Sequence, residues 1–411
     1  MLIGAIADDF TGSGDLANML ARAGLSVQLR TSIPDEPLTA SENPDSVVIA
    51  LKTRTMPVAD AISQSLQAVR WLRAQGAERI LFKYCSTFDS TPKGNIGPVA
   101  EALAQELSTD QVLFVPSFPA TGRTVYQGHL FVGDQLLSES PLAHHPLTPM
   151  TDADLRRWLQ YQTHREVGHL PLSLLRGADA ARALAAINSP FVIADAIDDT
   201  DISRLGMLLR DSPLVTGGSA IGAGLAQALV GPNRQDGSDW QGVNGPAVVL
   251  AGSCSQATLG QIEAYRGHPV RHVSIDEVLN DPSLPELLAD WALEVGNAPL
   301  ITVSQPPDKV LSVQDAYGRE RTAAAIDSMF ACLACALVTR GVARLVVAGG
   351  ETSGAVTLGL GLDRLDVGPQ IAPGVPALAA GGLRMALKSG NFGGPDFFSR
   401  AVAVLEGKTD E

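Results

Sequence analysis

The chain has 411 residues, 45% of them hydrophobic and 18% charged, with 40 glycines and 26 prolines. Such a composition belongs to a globular chain with many tight turns and excludes a disordered or fibrous one, and the length predicts two or three domains. The 30 Lys+Arg against 44 Asp+Glu leave a formal charge of −14, which repels polyanions and predicts neither nucleic acid nor an anionic membrane as a partner.

The first predicted strand, "LIGAIA" (2–7), runs into Asp8-Asp9, then Thr11-Gly12-Ser13-Gly14 and a helix carrying Leu16, Met19 and Leu20. This stretch carries no basic n-region, so no secretory leader is expected. Open α/β sheets bind ligands at the carboxyl ends of their strands. Capping of the helix by Asp9 or Thr11 accounts for one acid. The second is left for function: one carboxylate would take a proton from a substrate hydroxyl while the other orients it, and which is which stays open.

"SVVIAL" (46–51) is a strand with Arg54 just beyond it. A helix follows, with Ile62, Leu66, Val69 and Leu72 at helical spacing and Gly76 as its stop. "RILFKY" (79–84) carries Lys83 near its end, and Asp89, Ser90, Thr91 and Lys93 follow in a loop before "GNIGP". Cations, hydroxyls and a carboxylate together suit a small hydroxylated anion: a carboxylate ligand needs a fixed cation and donors. A solvated turn explains the loop equally well by itself. Arg123, in a Gly-flanked turn after the strand "VLFVPS", is a further anion-binding candidate. His144-His145 would diverge on an extended segment, with no third ligand at helical spacing, so no metal pair is expected there.

"FVIADA" (191–196) and "PLVTGG" (213–218) are further strands. Strands alternating with helices predict βαβ units and mainly parallel sheets. At 231–246, "GPNRQDGSDWQGVNGP" loses all apolar periodicity and reads as a linker. Two α/β domains are therefore predicted, 1–232 and 246–405.

In the second, "AVVLAG" runs into Gly252-Ser253-Cys254-Ser255 and a helix, and "RLVVAGG" into Gly349-Gly350-Glu351-Thr352-Ser353 and another. "PLITVS" is a strand between them, and a final helical stretch closes the domain. Small residues at a helix start let backbone N–H groups approach phosphates. Lys388 and Gly390 fall in a third glycine-rich loop, so a nucleotide is favoured over three unrelated turns. The apolar segment "AAAIDSMFACLACALV" (323–338) predicts a buried helix in which Cys332 and Cys335 are packing residues, not a redox pair. With Cys85 and Cys254 the chain has four cysteines, no disulfide framework. No stretch approaches the roughly 20 uninterrupted apolar residues of a membrane span. A cytoplasmic location is expected. The C-terminal Gly407-Lys408-Thr409 lacks the upstream glycine of a P-loop.

Taken together, "IADDFTG", "FKYCSTFDSTPKGNIGP", "GRTVYQG", "VTGGS", "GSCS", "GGETSG" and "LKSGNFGG" resemble the motifs of the four-carbon acid sugar kinases, in order and over nearly the whole chain. "FKYCSTFDST" and "HHPLTPMTD" are similar to the subgroup acting on 3-oxo-tetronates. Ser13-Gly14 departs from the family pattern of Ala followed by a larger residue. The resemblance implies an acid-sugar-binding N-terminal domain, an ATP-binding C-terminal domain without a Walker motif, and an active site in the crevice between them. The implied reaction transfers the ATP γ-phosphoryl group to the terminal hydroxyl of a four-carbon 3-oxo acid, with Mg²⁺ whose ligands stay unassigned. ATP would touch Ser255, Gly349–Ser353 and Gly390. Arg54, Lys83, Lys93 and Arg123 would neutralise the acid, Asp89, Ser90 and Thr91 would meet its hydroxyls, and Asp8 or Asp9 would be the base. The acid sugar and ATP are the expected partners; a homodimer through the apolar helix is compatible with this. Three rivals stand: a threonate or erythronate kinase, a nicotinamide-dependent hydroxy-acid oxidoreductase (disfavoured by the missing Gly-x-Gly-x-x-Gly), and a non-catalytic acid-sugar sensor.

Overall fold

Each apolar run singled out above becomes a strand in the computed structural model, which describes residues 1–39, 42–144, 148–231, 240–304 and 317–408. His145, residues 232–239 of the expected linker, and Thr409 lie outside the described residues. The chain divides into two units, Met1–Gly237 and Ser238–Glu411, and both are mixed α/β with mostly parallel sheets.

The first unit contains β1 (Ile3–Ala7), β2 (Val27–Arg30), β3 (Ser46–Ala50), β4 (Arg79–Lys83), β5 (Val112–Val115), β6 (Arg123–Tyr126), β7 (His129–Val132), β8 (Gln135–Leu136), β9 (Val167–Leu170), β10 (Phe191–Ala194) and β11 (Leu214–Gly217). Its main sheet runs β2-β3-β1-β4-β11-β5-β10-β9, with its strand pairs parallel. The strands read as continuous apolar runs because helices cover both faces. On one face Tyr84, Phe88 and Phe114 pack at ring-centroid distances of 5.3 Å and 6.2 Å; truncating such a ring costs about 3–5 kcal/mol. β6, β7 and β8 form a separate antiparallel sheet, so Arg123 opens a strand instead of sitting within a turn.

The chain leaves β1 toward β2 and β3 on one side and later places β4 on the other. The C-terminal ends of β1 and β4 thus flank the point where strand order reverses, the usual ligand crevice of an open sheet. Ala7 pairs with Lys83 there.

The second unit repeats this logic. β12 (Ala247–Ala251), β13 (Val270–His272), β14 (Leu300–Thr302), β15 (Arg344–Ala348), β16 (Arg364–Ala372), β17 (Val375–Ala380) and β18 (Leu383–Lys388) run in the order β13-β14-β12-β15-β18-β17-β16. Order reverses between β12 and β15, whose ends carry the two glycine loops. β17 is antiparallel to both β18 and β16; the final helical stretch expected after β15 does form, as the last helix, but these strands precede it. The helix Gly350–Gly359 does form, but turns at Gly374 and Gly381, both at positive φ, fold the rest into a meander before the last helix, Phe397–Glu406. Glycine takes positive φ at little cost, and proline at 376 sits where no helix could continue.

The helix expected to be buried at 323–338 is the middle of Arg319–Thr339, and only one face of it is covered. Met329, Phe330, Leu333 and Leu337 are buried, whereas Cys332 and the alanines at 323 and 324 are exposed. Alanine is apolar enough to read as core yet small enough to stand in water, which is why the segment looked apolar all round. Arg321–Thr339 is long and apolar enough to cross a membrane by length and composition alone, a test that a helix packed by one face against a core also passes.

Candidate active site

At the β1–β4 crevice four predicted residues form one ion cluster. Asp8 is buried and takes a bidentate pair from Arg54, Nε to Oδ2 at 2.9 Å and Nη2 to Oδ1 at 2.8 Å. Arg54 Nη2 also donates to Asp9 Oδ1 at 2.6 Å, and buried Lys83 brings Nζ to 3.8 Å from the same oxygen. Asp9 caps the helix Phe10–Arg22 as well, its Oδ2 accepting from the Thr11 hydroxyl at 2.7 Å and the Gly12 amide at 3.1 Å. Capping and ion pairing are therefore both true of Asp9. Burial pulls Asp9 upward, but Arg54, Lys83, Thr11 and Gly12 outweigh it and hold the carboxyl well below the usual range. Glycine at 12 is dictated by this geometry: a Cβ there would lie 2.2 Å from both Asp9 Oδ1 and Lys83 Nζ.

A third carboxylate joins them that the sequence reading passed over. Asp15, one turn into the same helix, is buried and accepts a short hydrogen bond at Oδ2 from Ser219, the first residue of the helix after β11. Its Oδ1 is buried with no hydrogen-bond partner. Burial pushes Asp15 above the usual carboxylate range, against the opposing pull of Lys83 and of Ser219. The charge of Arg123 also acts on Asp15, and Arg123 Nε is likewise buried without a partner. An acid on the inward side of an apolar helix, beside buried Asn18, was the signal available.

Asp8, Thr53, Arg54, Asp89, Ser90 and Asn95 line one small recess. Asp89 is half-buried and accepts from Thr87 at 2.6 Å. The Ser90 hydroxyl is spent within the protein: it donates to Phe88 O and accepts from Trp158 Nε1 and Gln162 Nε2. Thr91 Oγ1 accepts from the Lys93 amide, and the Lys93 side chain is exposed, with no ion pair among the described residues. Asn95, unassigned from the sequence, braces the Arg54 loop through Nδ2, which donates to Thr53 O at 2.6 Å and Met56 O at 2.9 Å.

In the second unit the loops after β12, β15 and β18 close on one another. A Cβ at Gly252 would meet Thr352 Oγ1 at 2.2 Å, one at Gly390 would meet Ser253 Oγ at 2.2 Å, and Gly349 has a φ of +134°. At the Ser255 helix start the Ser255 and Thr258 amides donate to the Ser253 and Ser255 hydroxyls, whereas the first-turn N–H groups at Gly350 lack intrahelical acceptors, as at any helix start. Ser353 Oγ is buried with no partner, an open donor at the loop. Glu351 is exposed in its first turn. Ser255 caps Gln256–Ala264 and donates to Gly390 O at 2.7 Å. Thr258 donates to the same oxygen at 2.9 Å, and Gln261 Nε2 donates to the carbonyls of Phe392, Gly393 and Gly394. That polar stripe at spacing three, Ser255-Thr258-Gln261, was legible in the sequence and went unread.

A family model described as a sugar-binding N-terminal domain matches residues 3–225, and one described as a nucleotide-binding C-terminal domain matches 248–398. The chain belongs to the four-carbon acid sugar kinase family that joins these two domains. Among its relatives are the 3-oxo-tetronate kinase of Cupriavidus necator, 47% identical over 99% of this chain and 98% of the relative, and that of Pseudomonas savastanoi pv. phaseolicola, 47% identical over the same shares. A crystal structure from Salmonella typhimurium LT2 superposes with a TM-score of 0.89 at 42% identity, covering 97% of this chain and 98% of that one. Another, from Haemophilus influenzae, gives 0.83 at 40% identity, covering 98% and 100%.

Proposed function

We propose that the protein is a 3-oxo-tetronate 4-kinase, which moves the γ-phosphoryl group of ATP to the terminal hydroxyl of a four-carbon 3-oxo sugar acid. The observation that carries this reading is the buried Asp8–Arg54–Asp9–Lys83 cluster at the sheet crevice of a chain that also carries a glycine-lined nucleotide cradle. A net-negative protein holds a small acid only through such local cations. Kinase relatives at 41–47% identity across the whole chain support the substrate class.

In this reading the N-terminal domain, 1–232, takes the acid and the C-terminal domain, 246–405, takes ATP. Arg54 Nη1, which no hydrogen bond among the described residues occupies, faces the acid together with Lys83, with Arg123 and Lys93 adding positive field. Asp89 and Thr91 meet hydroxyls, while Ser90 fixes the loop from within. Asp8 and Asp9 hold Arg54 and stand where the attacking hydroxyl loses its proton. ATP lies against Ser255, the Gly349–Ser353 loop and Gly390, where the first-turn N–H groups of the helix Gly350–Gly359 suit phosphate oxygens. Phosphoryl transfer asks mainly for alignment and charge neutralisation.

Among the described residues no three His, Cys, Asp or Glu side chains gather as a metal site. Mg²⁺ would accompany ATP, with exposed Glu351 as the loop carboxylate able to hold it, and would supply neutralisation of phosphate charge. ATP as co-substrate goes with a cytoplasmic enzyme.

A coupled ADP-release assay across 3-oxo-tetronates, threonate and erythronate tests the reading. Turnover of the oxo acids is expected. Efficient turnover of threonate alone would move the protein to a sister activity, and no ADP release with any of them would end the kinase reading.

A further inference from the structure

Behind the nucleotide cradle lies a lysine that no carboxylate accompanies. Lys388, the last residue of β18, is fully buried. Its Nζ donates to Thr258 Oγ1 at 3.0 Å, Gly390 O at 2.9 Å and Ser389 O at 3.2 Å. The Phe397 ring centroid is 5.7 Å away. Charged residues on the surrounding elements are Glu263 on Gln256–Ala264, Arg344 on β15, Arg384 on β18, Glu351 on Gly350–Gly359, and Asp396, Arg400 and Glu406 at or on the last helix; none shifts Lys388, and burial is the sole influence on it. A solitary ammonium in a dry site is costly unless something balances it. Here burial pushes Lys388 down to about 7.

The carbonyl that Lys388 grips is Gly390 O, the same atom that Ser255 and Thr258 bind. The lysine therefore sits one layer behind the loop. We propose that Lys388 is a positioning residue of the nucleotide site: a buried lysine that shapes the Gly390 loop from behind and whose charged form the bound nucleotide's phosphates stabilise in place of a protein carboxylate. This rests on reading the second unit as the ATP-binding one.

The consequence is a proton count. Anionic phosphates brought near a depressed lysine favour its charged form, so nucleotide binding above neutral pH takes up a proton at Nζ. Titration calorimetry of the full chain with ADP and Mg²⁺, in buffers of different ionisation enthalpy, reads that count. At about pH 8 the nucleotide's own phosphates are already ionised, their second pKa being about 6. Wild type is expected to take up most of a proton per nucleotide at about pH 8. Lys388→Met should bind at least about tenfold more weakly and take up none. An equal proton count in Lys388→Met, or binding by wild type with no proton uptake at about pH 8, overturns the proposal. The second of these stands even if the variant fails to fold. Wild type that binds no nucleotide at all overturns the ATP reading as well, which separates the two failures.

Discussion

Asp15 shows how a residue's chemistry depends on what surrounds it. Its neighbour in the cluster, Asp9, is held ionised by two cations, a hydroxyl and an amide, whereas Asp15 has one hydroxyl partner and an oxygen with none. A carboxyl raised by the fold adds stability below its unfolded pKa and loses it as pH rises through the folded one. Asp15→Asn should therefore melt like wild type at about pH 4 and at a higher temperature than wild type at pH 7. Calorimetric scans at the two pH values check the sign; a variant less stable at pH 7 refutes it. Lys83→Met should raise KM for the oxo acid about tenfold or more and leave ATP affinity unchanged, as paired substrate titrations would read; equal losses for both substrates would count against the division of labour. Asp8, Asp9, Arg54 and Lys83 were visible in the sequence because charges at strand ends are conspicuous. Asp15 was not, since an acid three residues past Gly12 looks like an ordinary helix position until Lys83 is folded over it.

Elements hold these residues in place by fastening loops. Asn95 precedes the helix Ile96–Glu106 and donates to two carbonyls of the Arg54 loop. Leaving buried carbonyls unpaired costs about 1–3 kcal/mol, so Asn95→Ala should lower both the melting temperature and kcat/KM for the acid, with nucleotide affinity retained. Loss of ATP binding instead would show that the brace serves another purpose. In the second unit the helix Gln256–Ala264 does the fastening, through Ser255, Thr258 and Gln261. Gly390→Ala would press a methyl to 2.2 Å from Ser253 Oγ; weakened ATP binding with the sugar site spared is the expected outcome, and nucleotide affinity equal to wild type would make the loop a mere turn. Strands built from β-branched runs were read correctly because burial on both sheet faces leaves a continuous apolar signature. The β16–β18 meander was misread because its alternation is interrupted by glycine and proline, and its pairing is made across turns that composition alone does not reveal.

Across the whole molecule the charge of −14 opposes the approach of two anionic substrates. Screening that field with salt should raise kcat/KM for the acid between about 10 and 100 mM KCl, before higher salt weakens the cluster itself; a monotonic fall from the lowest salt would mean that the local cations dominate at long range as well. Both sheets carry their candidate loops where strand order reverses, after β1 and β4 in one unit and after β12 and β15 in the other. The alternating strand and helix pattern, the acids and cations at strand ends, the glycine loops and the family likeness were all determined by the residues in order, because periodicity and composition are local properties. Which charges meet was decided only in three dimensions. Arg54 reaches Asp8 across 46 residues, Ser219 reaches Asp15 across 204, and Lys388 reaches Thr258 across 130. Neighbours so far apart in sequence are set by sheet order and burial, and the same burial that brings them together sets how strongly each holds its proton.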